Sequence, residues 1–489
     1  MNCVFEFLQK RGYDLDNSYY SYIENWINIW QGKAKWLDVR TIEGKKYPMY
    51  SLNIAKRSCE DLASVVTSEP FTIKATNNDE ILQNNLKQAK VLEKLPEMIE
   101  IMGYTGTVGT VTRIINAEIV GEDETATLRR TNKTKIKTII LKANQIIPLT
   151  YEDGEMVNCA FVSKVKKKIA GKNKKLYYME LHELEERGYQ VTNKYFDVEN
   201  GQEVVIDGII ETYNTLSHVP LFNIRKLDKV NPIDNNNNLG IALFGNALDQ
   251  LQILDTVYNN FGMDFKLGQK VLLVNKKLTK IETEEYTDKD GQLKQRQRVI
   301  YPTDIQKQLF TDISDGLMGT PDKNPYVYEY NPDLRVGDNK EGVQFALDTY
   351  CFEIGFGTHF YSFENGSLQT ATEAMLSRKD FVDNMNKVRK GINEFLKGIC
   401  KSILLCEKML GNAGIDENQE IEIAEVDGFL QDDETERTKL LSDVSAGLIS
   451  KRTYLMKVYK MTEKEASEEL TKIDEENSVS SSSFGQFGE

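Results

Sequence analysis

Between Gly355 and Gly411 no proline interrupts the chain, and the apolar residues there fall on one side of a helix. After Met375 they are Phe381, Met385, Val388, Ile392, Phe395, Ile399 and Ile403, spaced by three and four residues. That spacing lines an apolar stripe along one helix, while Arg378, Lys379, Asp383, Lys387, Arg389, Lys390 and Lys397 occupy the other side. Such a helix runs to about forty residues, against an average of about 11–12 in globular proteins. It is entered from the polar, glycine-bearing stretch 361–369 and the run Thr370-Ala371-Thr372-Glu373-Ala374. A helix of that length, entered through an exposed loop, fits a girder in a large assembly better than part of an enzyme core.

With 489 residues the chain has room for about three or four domains. No run approaches the 18 or more apolar residues of a membrane span, and Met1-Asn2-Cys3-Val4-Phe5-Glu6 lacks the basic start of a secretory signal. Six scattered cysteines (3, 59, 159, 351, 400, 406) form no CxxC pair and read as reduced, mostly buried thiols. Net charge is 61 − 75 = −14. Tight binding to a phosphate backbone draws on counterion release by basic residues, so an acidic chain suits nucleic acid that passes without being held.

The first seventy residues read as helical and aromatic-rich, with Tyr22, Ile23, Trp26, Ile27 and Trp30 in register. A second helix opens at Ser51-Leu52-Asn53-Ile54-Ala55 and ends before Pro70. A third spans about 79–102 and needs a break or kink for Pro96. From 107 to 213 the period turns strand-like, with runs at 110–115, 134–141, 158–165, 176–181, 189–196 and 203–210. Asp153-Gly154 and Asn200-Gly201 are hairpin signals, and Ala170-Gly171-Lys172-Asn173 is a third turn. The result is an antiparallel meander with Lys164, Lys166, Lys168, Lys172, Lys174 and Lys175 on its outer face and tip. A linker with Pro220, Pro232 and 235–238 leads to a helix at about 241–265, an extended region at 267–338 and a helix at about 341–355. One strand fits 419–426, and about three charged helices fit 432–476, with Gly447 as a stop and Thr462 as an N-cap backed by Glu465. The last stretch, 477–489 with Ser480 to Ser483 in a row, is low-complexity and is expected to be disordered.

Chemistry-bearing constellations are sparse. His182, His218 and His359 stand far apart, without zinc or metallo-hydrolase spacing, and no G-x-S-x-G elbow occurs. Gly103, Gly106 and Gly109 are not followed by the Lys-Ser or Lys-Thr of a phosphate-binding loop; they read as a helix end turning into a sheet. The acidic patches 122–124, 282–285 and 432–436 read as solvated faces rather than metal sites. The lysine-rich hairpin lacks the interleaved aromatics of a base-stacking platform, so an exposed polar rim is favoured over a nucleic-acid contact. No catalytic residue, metal ligand or cofactor site is assigned.

Four stretches together resemble the portal proteins of tailed double-stranded-DNA bacteriophages, most nearly those infecting Gram-positive hosts. They are Ser51-Leu52-Asn53-Ile54-Ala55-Lys56 with Glu69-Pro70; Leu239-Gly240-Ile241-Ala242-Leu243-Phe244-Gly245-Asn246-Ala247-Leu248-Asp249 with Leu254-Asp255; Thr370-Ala371-Thr372-Glu373-Ala374; and 440–450 with Gly447-Leu448-Ile449-Ser450. They span about residues 20–476, and the one small departure is Ala242, where serine is expected.

The resemblance implies an α+β portal-like fold: a mixed wing, a two-helix stem, a small β-containing clip, a long kinked helix and a helical crown. On that pattern 1–240 is wing, 241–266 and 339–357 are stem, and 267–338 is clip. Residues 358–371 are the tunnel loop, 372–427 the long wing helix and following strand, and 428–476 the crown. It also implies a homo-oligomeric ring, usually a 12-mer, at one capsid vertex, with double-stranded DNA passing through during packaging and ejection. Implied partners are the terminase large subunit, a head-completion adaptor, and the major capsid and scaffolding proteins, with no membrane. DNA-facing residues would be Phe363, Glu364, Asn365, Gly366, Ser367, Leu368 and Gln369. Contacts from Glu364, Asn365, Ser367 and Gln369 to phosphate would be transient, and a partner ATPase would supply the work. A cyclic ring needs two different adhesive faces per subunit, which long helices with an apolar stripe and charged flanks supply. The alternative is another ring component of a phage-like particle, a tail or baseplate adaptor with no DNA in its lumen.

Overall fold

A computed structural model of the chain describes residues 2–40, 44, 46–120, 127–152, 155–169, 172–206, 209–233, 239–275, 281–287, 291–299, 310–313, 327–363, 371–424, 433–459, 461 and 463–482. They divide into two compact units, 1–67 with 74–422, and 68–73 with 423–489.

The first unit opens with helices α1 (Asn2–Lys10), α2 (Tyr20–Trp30), α3 (Ile54–Val66), α4 (Asp79–Ala89) and α5 (Leu95–Thr105). The break expected at Pro96 in the helix over 79–102 falls earlier, between Ala89 and Leu95. Lys90 takes a left-handed backbone that stops α4, and Pro96 sits in the first turn of α5, where its missing N–H costs nothing. Gly106, at φ +79°, caps α5 and turns the chain into strand Thr107–Ile115, so the glycine run is the helix-to-sheet corner.

Two antiparallel sheets follow. The larger orders its strands Thr212–Asn214, Gly188–Asp197, Lys172–Glu185, Glu155–Ile169 and Ile146–Glu152. The smaller places Thr107–Ile115 between Phe222–Lys226 and Lys135–Lys142. Asp153-Gly154 and Ala170-Gly171 lie outside the described residues, but Glu152 pairs with Glu155 and Ile169 with Lys172 across them. The strand expected over 203–210 does not form among the described residues of that stretch. Among the described residues there, Phe196 and Glu203 form an isolated bridge, and the short strand Thr212–Asn214 takes the sheet edge. One face of the larger sheet is apolar at Ala160, Val162, Met179 and Leu181, and Val4, Phe5 and Leu8 of α1 cover it. The other face carries Phe161 and His182 against Phe222 of the smaller sheet.

Helix α6 begins at Leu248 (Leu248–Leu267), later than expected, because residues 243–246 form a turn. Strand Val271–Asn275 then pairs in parallel with Phe310–Ile313 and antiparallel with Val327–Tyr330, and Ile281–Thr287 forms a hairpin with Leu293–Val299. Helix α7 (Val336–Ile354) runs back antiparallel to α6. Asp264 near the end of α6 accepts from Asn339 Nδ2 (3.1 Å) and pairs with Arg335 (3.0 Å) at the start of α7. Asp255 joins two of the segments that carry the portal resemblance. Buried in α6, it accepts from Trp36 Nε1 (2.9 Å), from the Ser51 side chain and from the Leu52 backbone. Burial raises its pKa in spite of these donors.

Helix α8 is one unbroken element, Ala371–Met409. Every apolar residue assigned to its stripe from Phe381 to Ile403 is buried, each contributing about 1.5–3 kcal/mol of burial free energy. The stripe widens toward the C-terminus, where residues 402–407 are buried on all sides. Two glycines account for the close fit. A Cβ on Gly391 would overlap the Arg225 guanidinium, and one on Gly398 would sit 2.0 Å from Asn223 Oδ1. The far end is pinned by Glu407, whose buried carboxylate accepts from Asn85 Nδ2 (2.7 Å), Arg130 Nη2 (2.5 Å) and Asn412 Nδ2 (2.9 Å).

The second unit holds α9 (Asp433–Ser445), α10 (Lys451–Val458) and α11 (Glu463–Ser482). Gly447, at φ +73°, ends the first, and Ser450 Oγ accepts from Thr453 N (3.1 Å) to cap the second. The resembling segment Gly447-Leu448-Ile449-Ser450 is thus a helix–turn–helix joint. Thr462 lies outside the described residues. The tail expected to be disordered from 477 is instead helical through Ser482, since α11 continues into the serine run.

Candidate functional site

The approach to the loop before α8 is held from several sides. Helix α7 ends at Gly355 (φ +84°), and Gly357 (φ +81°) and His359 (φ +62°) reverse the chain within four residues. Positive φ is uncommon for a non-glycine residue, and His359 is held there by Asp348. Asp348 accepts from the His359 backbone N–H (3.1 Å) and pairs with its Nδ1 (3.0 Å). Gln344 Nε2 donates to Tyr361 O (3.0 Å), and Asn384 Nδ2 donates to Gly355 O (2.8 Å). Phe356, Phe360 and Phe381 pack edge-to-face and tilted at 4.7–5.0 Å between centroids, tying the loop's approach to α8 ten residues past its start. Tyr361 donates to Asp61 Oδ2 (2.7 Å), and Arg57 holds that carboxylate from the same helix. Burial and the adjacent Asp61 push the Tyr361 phenol far above its usual pKa, so it stays a donor.

Of the residues expected to face DNA, Phe363 is described and is 68% exposed. Glu364, Asn365, Gly366, Ser367, Leu368 and Gln369 lie outside the described residues. Sequence reasoning did not single out the residues that anchor the base, Asp61, Gln344, Asp348 and Asn384. Their polar contacts join positions far apart in the chain, and the available signal was the Gly355-Phe356-Gly357 corner itself.

Beside this base, α6 and α7 leave large apolar side chains in solvent. Phe345 and Phe352 stand seven residues apart on one face of α7 and are 71% and 70% exposed. Ile253, Phe265 and Leu267 of α6 are exposed as well. A cleft of about 610 Å³ lies here, lined by Leu52, Tyr258, Phe261, Val343, Phe345 and Phe363.

A second polar cluster is internal. Glu180, nearly inaccessible, is paired with Arg113, accepts from Tyr178 OH (3.2 Å) and lies 3.1 Å from His182 Nε2. Burial alone would raise its pKa, but the Arg113 guanidinium and His182 outweigh it and hold the carboxyl at about 2. A carboxylate that stays ionised at every physiological pH is a poor proton donor or acceptor. It works as a clamp between strands Thr107–Ile115 and Lys172–Glu185. His218 stands apart from this cluster in the sequence, and His359 serves the loop base. Among the described residues, no three His, Cys, Asp or Glu side chains converge as a metal site, and no helix is long and apolar enough to cross a membrane.

No protein-family profile matches the chain, and no curated protein matches it. Among solved structures, the fold is similar to the "Neck of native GTA particle computed with C12 symmetry". The TM-score is 0.41 at 11% identity, over 82% of this chain and 88% of that one. At that level the likeness assigns neither family nor activity.

Proposed function

We propose that the chain is a portal-type subunit: copies close into a ring at one capsid vertex, and duplex DNA passes through it during packaging and ejection. The carrying observation is the exposed apolar surface of the antiparallel α6–α7 pair, with Phe345 and Phe352 more than two-thirds in solvent. Several large apolar side chains left in solvent on one helix pair suit an interaction site. A neighbouring copy of the chain is the occupant that the four family-like segments call for. The firmly anchored base at 355–363 supports the same reading, because a loop that touches moving DNA needs fixed ends. The subunit works passively, and an ATPase partner docked on the clip at 267–338 supplies the energy.

Two experiments test this. The purified chain is expected to form closed rings by electron microscopy, and Phe345→Glu with Phe352→Glu should return it to the mass of one chain in size-exclusion chromatography with light scattering. A wild-type chain that stays monomeric at micromolar concentration would end the proposal. Within a ring, Ser367→Arg with Leu368→Trp should leave assembly intact and sharply reduce packaged DNA per particle. Normal packaging by that variant would favour an adaptor ring with no DNA in its lumen.

A further inference from the structure

Strands Glu155–Ile169 and Lys172–Glu185 are much longer than their neighbours need. Pairing to the next strand, Gly188–Asp197, stops at Leu176 opposite Asp197. Beyond that point only four cross-strand pairs remain, from Lys166–Lys175 to Ile169–Lys172, as a two-stranded ribbon. Residues 164–175 hold seven lysines and no acidic residue, in a chain whose net charge is −14. Without that ribbon the rest of the chain carries −21 (−14 − 7).

The two faces of the ribbon differ. On one, Lys167 meets Tyr195 OH (3.3 Å) and Lys174 pairs with Asp197 (3.1 Å), so both cations have partners inside the chain. The other face continues the apolar face that α1 covers through Val162 and Met179. Past that cover it presents Lys164, Lys166, Lys168 and Lys175, all exposed. Lys166 lies directly opposite Lys175, an arrangement of like charges that destabilises a sheet. A two-stranded ribbon is only marginally stable by itself, so this charge pattern is not there for folding.

We propose that this lysine face holds the phosphate backbone of duplex DNA at a place separate from the loop at 363–369. Lysine is depleted at protein–protein interfaces, whose cores need aromatic and apolar anchors, and this face offers only Tyr177 at its inner edge. Phosphate contact asks for exposed point charges without apolar support. Alternate residues of one strand lie about 6.8 Å apart, so Lys164, Lys166 and Lys168 form a row that can follow a backbone.

The test is filter binding of the full chain to covalently closed circular DNA across a salt series. A closed circle cannot thread a ring, so binding reports an outer surface and stands apart from the ring assembly that tests the portal reading. Four lysine–phosphate contacts predict a log–log salt slope of about −3.6, or roughly 50-fold weaker binding at 150 mM than at 50 mM salt. Lys166→Ala with Lys168→Ala and Lys175→Ala should flatten the slope by about 3, and arginine at the same three positions should restore it. Unchanged binding by the alanine variant, or no wild-type binding at 50 mM salt, overturns the proposal. Loss of self-association in that variant, with circle binding intact, would also overturn it and identify a second copy as the occupant.

Discussion

Arg113→Met is expected to lower the stability of the first unit by about 3–5 kcal/mol, the usual cost of leaving one partner of a buried ion pair alone. Glu180 is almost fully buried, and Arg113 is its main counter-charge. Urea unfolding followed by tryptophan fluorescence measures this unit selectively, because Trp26, Trp30 and Trp36 all belong to it. The wild-type chain should show a matching acid dependence. Its Glu180 carboxyl titrates near 2 when folded, against an ordinary 4.5 when unfolded. The resulting stabilisation is fully present above pH 4.5 and is lost as pH falls from 4.5 toward 2, amounting to about 3 kcal/mol. In Arg113→Met burial acts without its main opponent, so that acid-side loss should shrink or reverse. Arg113→Lys keeps the charge without the two-pronged donor and should fall between. A methionine variant with wild-type stability would show that Glu180 is neutral or solvated.

Gly106→Ala should cost at least as much, about 3 kcal/mol or more from left-handed strain and backbone overlap together. A Cβ there would lie 2.3 Å from Gly240 O and 2.5 Å from the Ile241 carbonyl carbon, both main-chain atoms with no rotamer to give way. The same crossing is bonded on both sides. Gly106 O accepts from Leu227 N (2.9 Å), and Gly240 N donates to Thr107 Oγ1 (2.7 Å). Differential scanning calorimetry should show a markedly lower first transition or little folded protein. By contrast, Gly291→Ala meets no neighbouring atom and should cost only its left-handed φ. Similar melting of the two variants would count against the crossing.

What the sequence made legible follows from period. The stripe of α8 repeats over several turns, so each assigned residue from Phe381 to Ile403 is found buried. The β meander alternates strongly enough to be located, while its edge was misplaced. The stretch 203–210 has strand-like composition, but its described residues give an isolated bridge at Glu203, because the turn after Asp197 and the bonds to Glu211 and Ile210 carry the chain on to Thr212. Helix starts failed where a turn shares apolar residues with the helix, as at 241–247 before Leu248. The glycine run at 103–109 was readable as a corner, but the backbone it crosses lies more than a hundred residues away and leaves no local trace. The anchors of the loop base were invisible for the same reason: Asp61, Gln344 and Asn384 are ordinary surface polar residues until folding gathers them.

Helix α8, at 39 residues, is about 58 Å long. Phe381 packs against Phe356 and Phe360, and near the far end Glu407 bolts the helix to Asn85 and Arg130. A helix held at two such points does not absorb a pull between them by bending; it passes the load along its axis. Between Phe381 and Glu407 the helix therefore ties the aromatic cluster before it to α4 and the neighbouring sheet as one stiff span.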